Sequence, residues 1–263
     1  MSWRPWEDVL ALVELAAPTQ CAGCDRPQSR WCGRCDRELL RARPGRWSPT
    51  PCPPGLPPTW SGPAYDGVVR QAVVAWKDAG RADLTAVLAP VLRGVLSAAL
   101  EGSPEHRADL AAGHPVLVLP APSGRGSTRR RGEHRVRALA LAAVGPARSR
   151  LPVLDGLRLA RAVVDQAGLG ADDRARNLCG AVRVRDRLVS RLQGRPCVLV
   201  DDVVTTGATL QECARALRAA GCGPVVAVTL AATRRHTRSV GPDGPTASTD
   251  SHAAPLQNVR GAD

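Results

Sequence analysis

Short apolar runs alternate with longer stretches of helical spacing along most of the chain. The short runs, which predict buried strands because they are too brief for helices, occupy 115–119, 153–159, 197–200 and 225–230. Apolar residues at helical spacing predict helices over 65–76, 82–100, 136–144 and 210–220, and Gly221 ends the last of them. Strands that alternate with helices favour an α/β fold with a mostly parallel sheet flanked by helices.

The regions on either side of this α/β pattern differ from it in composition. Residues 1–42 combine a short amphipathic helix with a cysteine-rich segment, and the proline-rich residues 43–63 predict an extended connector. The α/β domain itself is predicted to span 64–233. The polar, aperiodic stretch 234–263 has too little apolar content to offset its ordering entropy, so it predicts a disordered tail.

The apolar content gives no indication of a membrane protein. No run of eighteen apolar residues is present, so no transmembrane segment is expected. Glu7, Asp8 and Glu14 interrupt the apolar positions of the N-terminus, unlike the uninterrupted apolar centre of a secretory signal. We therefore expect a cytoplasmic protein.

Four N-terminal cysteines have the spacing of a metal site. Cys21, Cys24, Cys32 and Cys35 form two CxxC pairs separated by seven residues. Two such pairs can place four thiolates tetrahedrally around Zn²⁺, which prefers soft ligands at closed structural sites. Disulfides are disfavoured in a cytosolic chain, and the remaining alternatives are a redox role and a chance spacing. The sequence therefore predicts a small, zinc-ribbon-like structural module.

The run VLVDDVVTTGATL, residues 198–210, carries the strongest functional signal. A short apolar strand ends in two aspartates, and a threonine- and glycine-containing turn leads into a helix. Backbone N–H groups at such a helix N-terminus bind phosphate. Paired carboxylates suit ribose hydroxyls or a hydrated divalent cation, and glycine lets the backbone come close to a ligand. The pattern predicts a ribose-phosphate site, with an ordinary strand–helix turn as the alternative. Its residues are Asp201, Asp202, Thr205, Thr206, Gly207, Ala208 and Thr209.

This run resembles the phosphoribosyl-pyrophosphate (PRPP) signature of type I phosphoribosyltransferases. Together with the cysteine pairs, further blocks resemble the ComF family, whose members join a four-cysteine zinc module to a phosphoribosyltransferase-like domain. The blocks are Tyr65-Asp66-Gly67 with Lys77-Asp78-Ala79-Gly80, VLVLPAP with Arg131-Gly132, and Gln166-x-x-Leu169 with Arg174-x-x-Asn177 and Gly180-Ala181. The resemblance covers about 3–232. It implies a type I phosphoribosyltransferase-like fold that binds PRPP with Mg²⁺.

The resemblance also implies roles for residues outside the PRPP loop. Lys77 and Arg131 are candidates for the pyrophosphate side of the site, and Gln166, Arg174 and Asn177 for a hood that closes over it. A helix-end charge is the alternative for Lys77, and surface segments are the alternative for the others. In 6-oxopurine phosphoribosyltransferases an aspartate precedes the Thr-Gly of the loop. Thr205 stands there in this chain and has no useful basicity near neutral pH, which argues against that substrate class.

The large positive net charge of the chain is only weak evidence for binding to nucleic acid. The net charge is +12, and the basic residues are 35 Arg and one Lys. Phe and Ile are absent, which indicates a GC-biased genome and makes part of the arginine excess a codon effect. The same bias makes the single lysine, Lys77, more informative.

Two functions follow from these observations. One is a phosphoribosyltransferase that transfers the phosphoribosyl group of PRPP to an unknown acceptor. The other is a non-catalytic, PRPP-regulated protein that binds single-stranded DNA and acts with the DNA-uptake machinery of competence, to which the family resemblance points. An aromatic content of 3% argues against the stacking platform typical of such proteins. A purely structural zinc adaptor would leave the PRPP loop unexplained.

Overall fold

A computed structural model describes residues 20–122, 135–160 and 178–233. The predicted N-terminal helix and the predicted tail 234–263 lie outside these residues. The strands are β1 (Gly45–Trp47), β2 (Thr59–Ser61), β3 (Leu117–Pro120), β4 (Leu157–Leu159), β5 (Val182–Val184), β6 (Cys197–Val204) and β7 (Val225–Ala232). The α-helices are α1 (Gly33–Leu40), α2 (Gly67–Lys77), α3 (Leu84–Glu101), α4 (Pro104–Ala111), α5 (Arg135–Val144), α6 (Val189–Leu192) and α7 (Ala208–Ala219).

Five of these strands form one mostly parallel sheet in the order β1-β2-β7-β6-β3. β2, β7, β6 and β3 run parallel to their neighbours, and only the edge strand β1 is antiparallel. All eight residues of β7 are buried, as a continuous apolar run at the centre of a covered sheet requires. β4 and β5 form a separate antiparallel hairpin. The predicted α/β fold with helices flanking a mostly parallel sheet is confirmed.

Alternate residues of the interior strands lie on opposite faces of the sheet and pack in two hydrophobic layers. On one face, Val198 and Val200 of β6 belong to the same cluster as the buried residues of α2, α3 and α5. On the other face, Cys197 and Leu199 belong to a cluster with α7 and the β4–β5 hairpin. This separation follows from the two-residue period of a strand. The carboxyl end of β6 therefore lies between α2 on one face and α7 on the other.

α3 is the longest helix in the described ranges and contributes much of the first layer. By length and composition alone it could cross a membrane, and half of its most apolar window is buried inside the protein. Its buried residues, among them Leu84, Leu88 and Leu92, pack in the main core. Its apolar character is therefore explained by its position in this core.

Several elements differ from the sequence-based expectation. β6 continues through Asp201 and Asp202 to Val204, where the apolar run predicts an end at Val200. The range 43–63, predicted as a connector, supplies β1 and β2 to the main sheet. The 153–159 run forms a strand only over Leu157–Leu159. The apolar pattern predicts neither α4 nor β5, because both are short.

A buried histidine holds the short helix α4 against the sheet. His106 is fully buried, its Nδ1 lies 2.8 Å from Ser103 Oγ, and its Nε2 donates to the carbonyl oxygen of Cys197 over 3.1 Å. Burial lowers the pKa of His106 below 6.5. The neutral ring therefore links α4 to the start of β6.

We expect His106→Gln to lower the free energy of unfolding by about 1–3 kcal/mol at pH 7, because it disturbs a buried hydrogen-bonded pair. The unfolded chain takes up a proton at this histidine below about pH 6.5, whereas the folded protein resists it. The contribution of His106 is therefore present above pH 6.5 and is lost as the pH falls. Urea denaturation at pH 7 and pH 5 should show a smaller acid-induced loss in His106→Gln than in the wild type. His114→Gln, at an exposed histidine, is the control, and equal pH dependence in all three proteins would contradict the assignment.

Candidate functional site

Two consecutive carboxylates, Asp201 and Asp202, lie near the carboxyl end of β6. Its first four residues are buried, Asp201 is half-buried and Asp202 is buried. By the two-residue period of the strand, Asp202 shares the face of Val198 and Val200, the face on which α2 packs. Parallel α/β sheets bind ligands beyond the carboxyl ends of their strands. The predicted pair of acids therefore lies where this architecture places a binding site.

Lys77, the last residue of α2, contacts this acid pair. Its Nζ lies 2.5 Å from Asp202 Oδ2, with the lysine side chain half exposed and the aspartate almost fully buried. Burial by itself lowers the pKa of Lys77, but the charge of Asp202 and the hydrogen bond to it outweigh burial and raise the pKa. The structure therefore brings Lys77 to the predicted site, as the charge partner of a carboxylate. Its predicted contact with pyrophosphate stays a prediction.

Asp201 is the less compensated of the two acids. Its burial, followed by the negative charge of Asp202, raises its pKa to about 7. The Asp201 carboxylate accepts a hydrogen bond of 2.8 Å from the backbone N–H of Asp202. The Asp202 carboxylate accepts one of 2.7 Å from Val203. Near neutral pH the site therefore has a carboxyl group that a bound cation would drive to its ionised form.

The loop after β6 turns sharply into α7. Gly207 has φ +81° and stands at the N-cap position, immediately before Ala208. The backbone N–H of Ala208 lies 3.4 Å from Thr206 Oγ1, and the side chains of Thr205, Thr206 and Thr209 are half-buried. The first amides of a 12-residue helix thus follow directly on two threonines. This is the arrangement of donors that binds phosphate at helix N-termini.

The structure gives a further reason for glycine at position 207. A Cβ there would lie 2.9 Å from Leu56 Cδ1, in addition to the strain of the positive φ. Leu56 and the nearby Trp47 belong to the range 43–63, so this segment packs directly beneath the loop. The sequence predicts close approach of a ligand at Gly207 but not this packing.

The same segment is attached to α7 by two further hydrogen bonds. Gln211 Nε2 donates to the carbonyl oxygen of Pro54 over 2.8 Å, and Arg218 Nη1 donates to that of Gly55 over 2.6 Å. Nothing in the sequence pattern connects these residues, which are separated by more than 150 positions. The proline-rich segment therefore braces the helix that opens at the predicted phosphate-binding loop.

A buried glutamate joins α7 to the β4–β5 hairpin. Glu212 is 5% exposed and accepts a hydrogen bond of 3.0 Å from the backbone N–H of Val182 in β5. Arg215 neutralises Glu212 at 2.7 Å and also donates to the carbonyl oxygen of Val182. β4 and β5 lie on either side of residues 161–177 in the chain, and this contact fixes β5, and through strand pairing β4, relative to α7. The candidate residues Gln166, Arg174 and Asn177, like Arg131, lie outside the described residues.

The four N-terminal cysteines converge as the spacing predicts. Their sulfur atoms all lie within 4.8 Å of one another, with Cys21 and Cys35 3.7 Å apart and Cys24 and Cys32 3.6 Å apart. Tetrahedral Zn²⁺ with bonds of ~2.3 Å requires sulfur separations of ~3.8 Å. A hydrogen bond from the Cys35 backbone lowers the pKa of Cys32 to about 6, which favours a thiolate there. The cluster therefore fits a structural zinc site in ligand type, number and spacing.

A comparison with known protein families identifies the domain that contains β6 and α7. Residues 157–249 match the model of the phosphoribosyl transferase domain. The chain carries such a domain. The match begins at β4 and includes β6, the acid pair, the threonine–glycine loop and α7, so the predicted phosphoribosyltransferase-like fold is confirmed. No curated protein matches the chain.

We expect purified protein to contain one zinc ion per chain and the double variant Cys24→Ser/Cys32→Ser to contain none. Metal binding at such a site is coupled to folding, so the variant without metal should also lose the folded N-terminal module. Elemental analysis and thermal unfolding are the measurements. Cys52→Ser/Cys179→Ser, at two exposed cysteines outside the cluster, is the matched control. Wild-type protein that was purified without chelator and holds no zinc would refute the assignment.

Proposed function

We propose that the protein is a member of the ComF family and binds PRPP with Mg²⁺ at the carboxyl end of β6. The observation that supports this best is the arrangement of Asp201, Asp202, the threonine–glycine loop and the start of α7 around one strand end. All of these lie in the range that matches the phosphoribosyl transferase domain. The four-cysteine cluster in the same chain supports the finer family assignment.

Each part of the site suits one part of PRPP. The amides at the start of α7 and the threonine hydroxyls suit the 5-phosphate, because helix N-termini bind anions. Asp201 and Asp202 suit the ribose hydroxyls and a hydrated Mg²⁺. The metal supplies positive charge that stabilises the pyrophosphate group. Burial and the charge of Asp202 raise the pKa of Asp201 to about 7 in spite of Lys77, so a bound cation would be needed to hold both carboxyl groups ionised at neutral pH.

The reaction that this site supports is transfer of the phosphoribosyl group. The bond between C1 and the pyrophosphate oxygen breaks, a nucleophile of the acceptor forms a new bond to C1, and pyrophosphate leaves with the electron pair. Catalysis of such a step is mainly electrostatic, because charge develops on the ribose ring and on the leaving group. Thr205 offers no base to an acceptor, which argues against 6-oxopurines.

A second function, PRPP-regulated binding of single-stranded DNA, has one observation in its favour. The cysteine module and its surroundings expose many arginines to solvent, namely Arg26, Arg30, Arg34, Arg37, Arg41, Arg43 and Arg46. Strand phosphates bind such surfaces electrostatically. Base stacking lacks support in the described ranges, where Trp47, Trp60 and Trp76 are buried and Trp31 is half-buried. We therefore place transfer first. A protein that binds no single-stranded DNA at low salt, with or without PRPP, would exclude the second function.

PRPP binding should depend on pH through Asp201. Because the pKa of this carboxyl is about 7 in the free protein, Mg²⁺–PRPP must release a proton from it below that pH, and affinity should rise from pH 6 to pH 8. Asp201→Asn should weaken binding at pH 8 by about 1.5–3 kcal/mol, roughly 10-fold or more. Calorimetry at both pH values is the measurement. The variant should show a flatter pH dependence, which separates Asp201 from ionisation of PRPP itself.

The matched control for this experiment is Asp155→Asn, which removes a carboxylate paired with Arg185 near the hairpin. It should bind PRPP like the wild type. Equal heats for the wild type and Asp201→Asn, or no heat for the wild type, would overturn the proposed PRPP site.

Lys77→Ala should weaken PRPP binding about 5-fold or more, since a charge-assisted contact contributes at least ~1 kcal/mol, and should change the melting temperature little. The lysine side chain is half exposed although Asp202 is buried, so water can reach the Asp202 carboxylate once the ammonium is removed, which limits the loss of stability. Lys77→Arg should recover binding only in part, because a planar guanidinium does not replace a compact ammonium. Arg70→Ala, at an exposed position of α2, is the control. Normal PRPP binding with early melting would show that Lys77 is only a structural charge.

A further inference from the structure

The cysteine module is attached to the same helix that carries Lys77. Near the N-terminal end of α2, Val68 packs against the cysteine cluster. A Cβ at Gly23 would lie 2.9 Å from Cys35 Sγ and 3.0 Å from Val68 Cγ1, which shows how closely the first cysteine pair lies against the helix. At the C-terminal end of α2, Lys77 reaches Asp202. One helix therefore touches the metal cluster with its first turn and the acid pair with its last residue.

Arg81 makes a second connection, beyond the C-terminal end of α2. Its Nη1 donates to the carbonyl oxygen of Gln20 over 3.3 Å, and its Nη2 donates to that of Arg30 over 3.0 Å. Gln20 directly precedes Cys21, and Arg30 lies two residues before Cys32. One guanidinium therefore binds the backbone next to both cysteine pairs.

The other contacts of Arg81 fix it to the body of the protein. Asp83 accepts hydrogen bonds from Nε and Nη2 at 2.9 and 2.8 Å, which orients the guanidinium plane. The backbone N–H of Arg81 donates to the carbonyl oxygen of Ala75 in α2 over 3.1 Å. The loop that follows Lys77 is thereby closed between α2 and the cysteine module. The carbonyl oxygen of Arg30 also accepts a hydrogen bond from the backbone N–H of Ala22, and Gln20 pairs with Pro27, so both carbonyls contacted by Arg81 belong to the fold of the cysteine segment.

We propose that Arg81 is a positioning residue that couples metal occupancy of the cysteine module to ligand binding at the acid pair. With zinc bound, the module offers Arg81 two fixed carbonyls, and the loop holds the Lys77 end of α2 beside Asp202. Without zinc, the carbonyls are no longer held in place, and Lys77 loses its fixed position. This inference rests on the proposed PRPP site. Because coupling between two binding sites is reciprocal, PRPP must also tighten zinc binding.

The wild-type protein tests this reciprocity directly. Zinc affinity is measured by equilibrium competition with a chelator of known affinity, in Mg²⁺ alone and in Mg²⁺ with saturating PRPP. We expect PRPP to tighten zinc binding about 5-fold, the lower end of ordinary coupling between sites. The double variant Asp201→Asn/Asp202→Asn, measured in the same solutions, corrects for any zinc that free PRPP binds. Unchanged zinc affinity in a wild type that binds PRPP would overturn the coupling and leave the proposed function intact, whereas a wild type that binds no PRPP would overturn both.

Arg81→Ala tests the route of the coupling. The variant should keep one zinc ion, bind PRPP about 5-fold more weakly than the wild type, and lose the effect of PRPP on zinc affinity. Arg93→Ala is the matched control, because Arg93 also donates to two carbonyl oxygens, those of Ala142 and Ala143, on a different part of the protein. Should Arg81→Ala fold poorly, Arg81→Lys keeps the charge but cannot contact both carbonyls and Asp83 at once. If PRPP tightens zinc binding in Arg81→Ala as much as in the wild type, the coupling does not depend on Arg81.

Discussion

Two adjacent carboxylates at the end of a buried strand are the constraint on which the rest of the site depends. Removing an unpaired carboxylate from water costs on the order of several kcal/mol, so β6 can end in this way only with compensation. The structure supplies it from backbone N–H groups of the following residues and from the ammonium of Lys77, and the pKa of Asp201 is raised to about 7 in spite of them. None of these removes the demand for a cation completely. In the proposed function, a ligand that brings a cation would supply the positive charge that Lys77 alone does not.

The loop between β6 and α7, beside these acids, must be held rigid before a ligand is present. In the proposed PRPP site its backbone amides bind the phosphate, so side chains from other segments must support the loop from behind. Leu56 and Trp47 pack beneath Gly207, and α7 is held by hydrogen bonds to Pro54 and Gly55. Ordering the loop before the ligand arrives lowers the entropic cost of binding. The proline-rich range 43–63 suits this purpose because proline restricts the chain before it folds.

The sequence predicts those features of this protein that local patterns encode. The strand–loop–helix at 198–210 and the cysteine pairs are each formed by residues that lie close together in the sequence. Their residue types indicate the chemistry of each site. The end of β6 at Val204 could not be predicted, because the pairing of Val203 and Val204 with β7 is a tertiary effect that overrides the polar pattern. The same holds for β1 and β2, which are too short to show periodicity. The composition singles out Lys77 as the only lysine of the chain, yet its contact with Asp202 depends on the packing of α2 against the sheet.

The range that matches the phosphoribosyl transferase domain begins at Leu157, so only part of the candidate site lies inside the match. The acids and the loop lie inside the match, whereas Lys77, Trp47 and Leu56 lie before it. Asp202 is buried on the face that α2 covers, so the matched range without α2 would leave this carboxylate without its cation. The helix that neutralises Asp202 also packs against the cysteine cluster through Val68. The segment 43–63 and α2 are therefore a physical part of the site, and in the proposed coupling metal in the module and ligand at the acids would act through contacts of one helix.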